Sequence, residues 1–206
     1  MTSIKPVRDP IGDELLTPEN SLLVIIDYQP TQVNSINSMD KSVLIRNIVT
    51  VAKAAQLYGL PIVLSTVNVS SGRNADTIHP LKEVLEGVPS YDRSSINAWE
   101  DKEFYEAVQA AGRKKIIFCA LWTEACLSFP SLDALREGFD AYLVADAVGG
   151  TSLHAHERAL SRLEQAGARL TTIPQLLCEL QRDWDRTETA GGFVDLLVEA
   201  NVFPLH

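Results

Sequence analysis

The sequence predicts an α/β fold, a three-layer α/β/α sandwich around a mostly parallel sheet with Rossmann-like topology. Short, continuous apolar runs rich in β-branched residues recur along the chain, as parallel strands buried on both faces require. Stretches of helical length alternate with these runs, which is the rhythm of βαβ units. Four glycines follow the predicted helices shortly before a strand and supply the left-handed residue that ends a helix: Gly59, Gly112, Gly138 and Gly167.

The apolar runs predict five strands, at residues 21–26, 61–67, 116–121, 141–145 and 169–173. A further short strand is predicted near residues 90–93. Helices are predicted at residues 41–58, 101–111, 124–138 and 154–166, with a short one at 81–86. The rest of residues 68–97 is irregular and polar, and we expect it to form a wall or lid above the sheet. Ligands of such sheets bind beyond the carboxyl ends of the strands, so polar residues there are the candidates for function.

Length and composition predict a single domain over residues 1–206. The chain has 206 residues, of which 46% are hydrophobic and 22% charged, values typical of globular proteins. We expect the core over about 20–185. Residues 186–206 are predicted to be a C-terminal extension that covers its own domain or reaches a neighbouring subunit at an oligomer interface. The net charge is −9, and without a basic stripe the sequence disfavours nucleic acid as a partner.

No segment of the sequence predicts contact with a membrane. The longest apolar run, Ile116–Trp122, is far shorter than the ~18 residues that span a bilayer. Residues 1–16 lack the apolar core of a secretory signal. The three cysteines are too few and too scattered for a disulfide framework. We therefore expect a cytoplasmic protein with neither a membrane nor a nucleic acid as partner.

Two candidate catalytic residues lie at the predicted functional edge. Asp27 ends an apolar strand, where a carboxylate can serve as a general base; a loop-anchoring Asp is the alternative. Cys126 lies in the first turn of the helix that follows the 116–121 strand, with Thr123 as the predicted N-cap. The helix dipole would favour its thiolate. A small buried hydrophobe is the alternative, and it suits Cys119 and Cys178 well.

Arg93 is the third candidate, in the segment Tyr91–Trp99. A guanidinium close to Asp27 and Cys126 would favour the carboxylate and the thiolate. A surface arginine in a loop is the alternative interpretation.

Three segments resemble the isochorismatase-like cysteine hydrolases, a superfamily that includes nicotinamidases and N-carbamoylsarcosine amidohydrolase. They are Val24–Gln29, Arg93–Trp99 and Ala120–Cys126. Together with Glu179–Trp184, the second of them is most similar to the YcaC-like branch. The resemblance spans about 20–185, with the elements in the same order.

This resemblance implies a triad in which Cys126 is the nucleophile and Asp27 the general base. Arg93 stands where most of the family has lysine. Because a guanidinium does not readily pass a proton, the implied role of Arg93 is electrostatic. A cis peptide bond would fall at Leu121–Trp122 and place the backbone N–H groups of Trp122 and Cys126 as an oxyanion hole.

The resemblance further implies cleavage of an amide-like C–N bond in a small molecule through a cysteine thioester. It also implies a homo-oligomer, an octamer in this branch. Nicotinamidases of the superfamily place Asp-x-His metal ligands where this chain has Thr66–Ser71, and His154 and His156 point to different sides of a predicted helix. We therefore expect no metal and no other cofactor. The alternative function is a catalytically idle, oligomeric small-molecule binding protein of the same fold.

We expect three aromatic and two polar side chains to line the substrate pocket, with one of the aromatic side chains in the nucleophile loop. The aromatic side chains suit a small planar or apolar molecule. Core packing is the alternative interpretation for each of these residues. They are Gln29, Asn97, Trp99 and Phe129, with Trp122 beside the nucleophile.

Overall fold

The computed structural model describes residues 8–203 and contains a six-stranded parallel sheet of order β3-β2-β1-β4-β5-β6. Its strands are β1 (Ser21–Ile26), β2 (Ile62–Val67), β3 (Ser90–Arg93), β4 (Lys115–Ala120), β5 (Asp140–Val144) and β6 (Arg169–Thr171). Every residue of β1 and of β4 is buried, as the continuous apolar runs predict for the middle of a covered sheet.

Helices connect the strands and cover the sheet. They are α1 (Pro30–Asn34), α2 (Lys41–Leu57), α3 (His79–Val84), α4 (Lys102–Ala110), α5 (Ser128–Arg136), α6 (Leu153–Gln165), α7 (Ile173–Gln181) and α8 (Thr187–Glu199). A 3₁₀ turn (Ala98–Glu100) precedes α4, and a π-helical turn (Thr123–Leu127) precedes α5. Helices α2, α3, α7 and α8 pack together on one side of the sheet, and α4, α5 and α6 on the other. The predicted α/β/α fold class is confirmed.

The strand order reverses between β1 and β4. The chain builds outward from β1 through β2 to β3, then crosses back to β4 and continues to β6. Loops that leave β1 and β4 therefore diverge, and the crevice between them is where open α/β sheets bind ligands. Asp27 leaves β1 here, and the segment that carries Cys126 leaves β4.

The predicted strand 169–173 is too long. β6 ends at Thr171, and α7 begins at Ile173 with Thr172 as its N-cap and a proline in its first turn. Proline disfavours a further ladder position and suits the first turn of a helix, which explains the early end. The short helix α1, which also begins with a proline, was not predicted.

The C-terminal extension packs on its own chain. Helix α8 contacts α2 and α7, and it buries Phe193, Leu196 and Leu197. Lys53 of α2 pairs with Glu199 of α8 at 2.8 Å. Within residues 8–203, no helix is long and apolar enough to cross a membrane. The predictions of a single domain over 1–206 and of a start without a secretory signal involve residues 1–7 and 204–206, which lie outside the described residues.

Candidate active site

Asp27 leaves the carboxyl end of β1 in an unusual backbone conformation. Its φ is 62°, the left-handed region, and the residue is completely buried. Its backbone N–H donates to the carbonyl of Ser65 on β2 at 3.0 Å. Aspartate tolerates this conformation better than most residues, and such strain is concentrated at functional sites. This conformation turns the chain at the end of β1, and the Asp27 carboxylate meets the side chain of Arg93, the last residue of β3.

Arg93 reaches that carboxylate from two strands away. As the last residue of β3 it pairs in register with Val67, so its side chain starts from the same edge of the sheet. Nη1 lies 2.7 Å from Asp27 Oδ1, and Nη2 lies 2.8 Å from Oδ2, which is a bidentate pair. The guanidinium also donates to the Thr66 carbonyl at 3.0 Å and the Ile96 carbonyl at 3.2 Å. Its side chain has no exposed surface, so the interpretation as a surface arginine is wrong.

Cys126 completes a group of three at this edge. Its thiol is partly buried, and both the Asp27 carboxylate and Arg93 lie close enough to act on the pKa of the thiol. The cysteine lies in the π-helical turn rather than in the first turn of an α-helix. Pro130 has no N–H to offer the Cys126 carbonyl, which fits a change from π to α geometry between these two residues.

The environment of Cys126 keeps the thiol protonated. Burial is the main cause that raises its pKa, to about 12, and the charge and hydrogen bond of Asp27 add to it. Arg93 and the backbone N–H of Trp122 act in the opposite direction and lower the pKa. The prediction that the helix dipole favours the thiolate is therefore wrong. Burial and a neighbouring carboxylate outweigh the partial positive charge of the helix N-terminus.

The peptide bond between Leu121 and Trp122 is cis. The backbone N–H of Trp122 lies near enough to the Cys126 sulfur to lower the pKa of the thiol. The Trp122 indole donates to the Ser35 hydroxyl at 2.6 Å. This hydrogen bond fixes the side chain of Trp122.

Thr123 does not cap the helix as predicted. Trp122 holds the N-cap position, and the Thr123 hydroxyl lies 2.8 Å from Nδ1 of His156 on α6. The contact of His156 with the cysteine-bearing turn was not predicted from the sequence. The pair Gly149-Gly150, which brings α6 close to this turn, is the one signal in the sequence that could have indicated it.

Gln29 lies near the group but has no free polar atom. It is completely buried, its Oε1 accepts from the Val67 backbone N–H at 2.9 Å, and its Nε2 donates to the Val67 and Ala75 carbonyls at 3.1 and 2.6 Å. Gln29 therefore ties the end of β2 and the loop that follows it to β1. This supports the core interpretation rather than a contact with substrate.

Asn97 and Trp99 are likewise bound by the protein. The Asn97 amide donates to Asp133 of α5 at 2.7 Å, and the Trp99 indole donates to Glu137 at 3.0 Å. Trp99 also packs edge to face against Phe139, which directly precedes β5. These contacts favour the core-packing interpretation for Asn97 and Trp99.

Phe129 is the predicted substrate contact that keeps an accessible side chain near the cysteine. It lies three residues after Cys126 and is 36% exposed. His154 is exposed, whereas His156 is partly buried against Thr123. Among residues 8–203 no group of three or more His, Cys, Asp or Glu side chains is arranged to hold a metal ion.

Comparison with known proteins identifies the family. The sequence model of the isochorismatase domain matches residues 21–175. The chain is 33% identical over 170 residues to the probable hydrolase YcaC of Escherichia coli (strain K12), a match that covers 82% of this chain and 81% of the relative.

Two solved structures are similar over nearly their full length. The structure of YcaC from Pseudomonas aeruginosa with hexane-2,5-diol and covalent acrylamide has a TM-score of 0.85 and 31% identity, over 92% of this chain and 95% of the other. The YcaC structure from Escherichia coli, described as an octameric hydrolase of unknown specificity, has a TM-score of 0.81 and 28% identity, over 92% and 97%. The chain thus belongs to the isochorismatase family of hydrolases.

Proposed function

We propose that the protein is a cysteine hydrolase that cleaves an amide-like C–N bond of a small molecule through a thioester on Cys126. One observation carries the proposal: a thiol, a carboxylate and a guanidinium from three distant segments meet at the carboxyl edge of the sheet. The Asp27 backbone adopts a conformation that few residues tolerate in order to take part. Core packing alone does not require that arrangement.

The first step transfers a proton and forms a bond. The Asp27 carboxylate lies close enough to the Cys126 thiol to raise its pKa, and it takes the thiol proton as the sulfur attacks the carbonyl carbon. Because the pKa of Cys126 is raised to about 12, the resting thiol is neutral and attack requires Asp27 as general base. A resting thiol with a high pKa is consistent with this route, since the base is already in place.

The oxyanion is held by the backbone N–H groups of Trp122 and Cys126. Such a donor is typically worth about 3 kcal/mol of transition-state stabilisation. The Trp122 N–H already lies close enough to the sulfur to lower the pKa of the thiol. As the tetrahedral intermediate collapses, the C–N bond breaks and protonated Asp27 returns its proton to the departing nitrogen.

Water completes the reaction. Asp27, now ionised again, takes a proton from water as the oxygen attacks the thioester, and the Cys126 thiol is regenerated with release of a carboxylic acid. Arg93 acts by its charge: it opposes the increase in the pKa of Cys126 and keeps Asp27 oriented through two hydrogen bonds. It passes no proton, because a guanidinium stays charged.

The relatives support the size of the substrate and the assembly. Acrylamide, which is bound covalently in the Pseudomonas aeruginosa YcaC structure, is itself a small amide. The octamer of Escherichia coli YcaC supports a homo-oligomer, an octamer, for this chain. We also propose that the protein is cytoplasmic, in keeping with three cysteines that are unpaired in the described residues.

The test is ammonia release from a panel of small primary amides and N-carbamoyl compounds. We expect Cys126→Ala to abolish the turnover that the unaltered protein shows on its best substrate. Cys178→Ser, which changes an exposed cysteine far along the chain, should keep full activity. Full turnover by Cys126→Ala would overturn the proposal. Binding of panel compounds without turnover by any variant would indicate the idle binding protein instead.

A further inference from the structure

The turn that carries Cys126 is held from behind by the start of the next β–α unit. Residues Gly149 to His156 lead from the end of β5 into α6, and they contact the turn at several points. The Thr123 backbone N–H donates to the Gly149 carbonyl at 2.9 Å. Glu124 Oε1 accepts from both the backbone N–H and the hydroxyl of Thr151, at 3.0 and 2.6 Å.

The two segments pack closely at Gly150. A Cβ added at Gly150 would lie 2.6 Å from Glu124 Oε2 and 3.0 Å from the Cβ of His156. A side chain at this position would therefore displace the Glu124 carboxylate and crowd His156. The approach brings the His156 ring against the turn.

The contact between His156 and Thr123 is the link nearest to the nucleophile. Thr123 is completely buried, and its hydroxyl lies 2.8 Å from His156 Nδ1. Its carbonyl accepts from the Ser128 hydroxyl at 2.6 Å. Thr123 is thus held through its hydroxyl, its N–H and its carbonyl, three residues before Cys126 and directly after Trp122.

We propose that His156 is a positioning residue for Cys126, acting through the Thr123 hydroxyl to fix the orientation of the π turn. The inference rests on the proposed function only in that Cys126 is the nucleophile. The imidazole touches neither the thiol nor the base, and its part is to set where the thiol points. Small errors in the placement of a reacting group are costly, because its alignment must be close to that of the transition state.

A neutral ring can accept a hydrogen bond in this arrangement. Burial lowers the pKa of His156, although the charges of Glu124 and Glu157 oppose that decrease. The neutral ring can accept the Thr123 O–H at Nδ1 and keep its proton on Nε2. An asparagine at position 156 offers an acceptor oxygen at nearly the same place, whereas a leucine fills a similar volume and offers none.

The experiment measures the rate at which acrylamide modifies Cys126, by intact-protein mass, in a Cys178→Ser background. Cys119 is completely buried, so Cys126 is the cysteine that remains accessible. We expect His156→Leu to slow modification about tenfold at fixed pH, and His156→Asn to restore most of the rate. His154→Leu, on the exposed side of the same helix, is the matched control and should leave the rate unchanged.

Thr123→Val tests the same link from the other side. It should slow modification as His156→Leu does, and the double variant should be no slower than either single one, because both remove one interaction. A normal rate in folded His156→Leu, equal losses in the Asn and Leu variants, or losses that multiply in the double variant would overturn the inference. If His156→Leu does not fold, Thr123→Val and His156→Asn decide. Since no turnover is measured, these results are independent of the ammonia-release test.

Discussion

Two buried cations lie at opposite edges of the sheet and show how differently the fold uses a positive charge. Arg93 lies at the carboxyl edge and is 4% exposed, and Lys115 opens β4 at the amino edge and is 5% exposed. Arg93 faces a carboxylate in a bidentate pair. Lys115 donates instead to three backbone carbonyls of residues 13–15, at 2.6, 2.6 and 3.2 Å.

The difference lies in what each charge holds in place. The three donors of the Lys115 ammonium match three carbonyls, so Lys115 holds the segment that precedes β1 against the amino edge of the sheet. Burial lowers the pKa of Lys115, and the charges of Asp140, Glu14 and Asp13 oppose that decrease, although no carboxylate of residues 8–203 accepts a hydrogen bond from the ammonium. At the other edge the charge pair lies next to a thiol and to a residue with positive φ. At the amino edge the Lys115 ammonium has an acceptor for each of its three donors, and the contact stabilises the fold. At the carboxyl edge the charge pair lies beside the reactive thiol of Cys126.

Asp27→Asn would remove the charge pair at the carboxyl edge, and we expect it to have the largest effect on stability and activity. Asparagine also tolerates a positive φ, so the change removes charge with little backbone cost. Arg93 would be left buried without a counter-charge, and we expect the free energy of unfolding to fall by about 3–5 kcal/mol. Because Asp27 raises the pKa of Cys126, the pKa should also fall while turnover is lost. Urea unfolding and the pH dependence of alkylation measure the two effects.

Asp92→Asn is the matched control for that variant. Asp92 precedes Arg93 on β3, and its carboxylate accepts hydrogen bonds from Thr66, Val69 and Ser70 rather than from the cation. It should destabilise the loop but leave the pKa of Cys126 as it is. Equal effects of the two variants on alkylation would contradict a specific role for Asp27.

Lys115→Met tests whether the buried cation at the amino edge contributes to stability alone. Methionine keeps most of the apolar stem but leaves the three carbonyls without their charged donor, so we expect a loss of about 2 kcal/mol in unfolding free energy. The rate of Cys126 alkylation should not change. Lys114→Met, at an exposed neighbour, should stay within about 0.5 kcal/mol. A slower alkylation in Lys115→Met would show that the two edges are coupled.

A third experiment uses the pH dependence of stability. The pKa of Cys126 is raised to about 12 in the fold from a usual value of 9.0, so above pH 9 the unfolded chain loses a proton that the folded chain keeps. Stability must then fall with rising pH. The unaltered protein should lose about 1.4 kcal/mol more than Cys126→Ser between pH 7 and pH 10. Cys119 and Tyr28, whose pKa values burial also raises, are common to both proteins and cancel. Parallel stability curves would contradict the raised pKa.

The sequence predicted the sheet well because local chemistry decides it. A continuous apolar run such as 21–26 has no stable place except a strand covered on both faces, and its bounds agree with β1. The end of β6 was missed because Pro174 outweighs the apolar character of Ile173. The π turn before α5 was missed because its geometry depends on contacts with α6 as well as on Pro130.

The site was less predictable because its contacts are made by the fold. Asp27 and Cys126 could be chosen from their places after β1 and β4, whereas Arg93 is unremarkable until β3 pairs with β2. His156 carries no signal of its own, since the residue that it contacts is 33 positions away. The thiolate prediction was wrong because it used the helix alone and left out burial and the carboxylate opposite.

Phe129→Ala is the mildest change, and it tests whether the carboxyl edge extends outward to a substrate. The side chain is 36% exposed, so its loss should alter unfolding free energy by no more than about 0.5 kcal/mol. If the ring packs on bound substrate without taking part in the chemistry, KM rises and kcat is kept. Leu153→Ala, another exposed apolar residue at 55%, is the control and should change neither constant. An unchanged KM for Phe129→Ala on the best amide would confine the site to the buried group, whereas a fall in kcat at constant KM would place the ring among the groups that align the thiol.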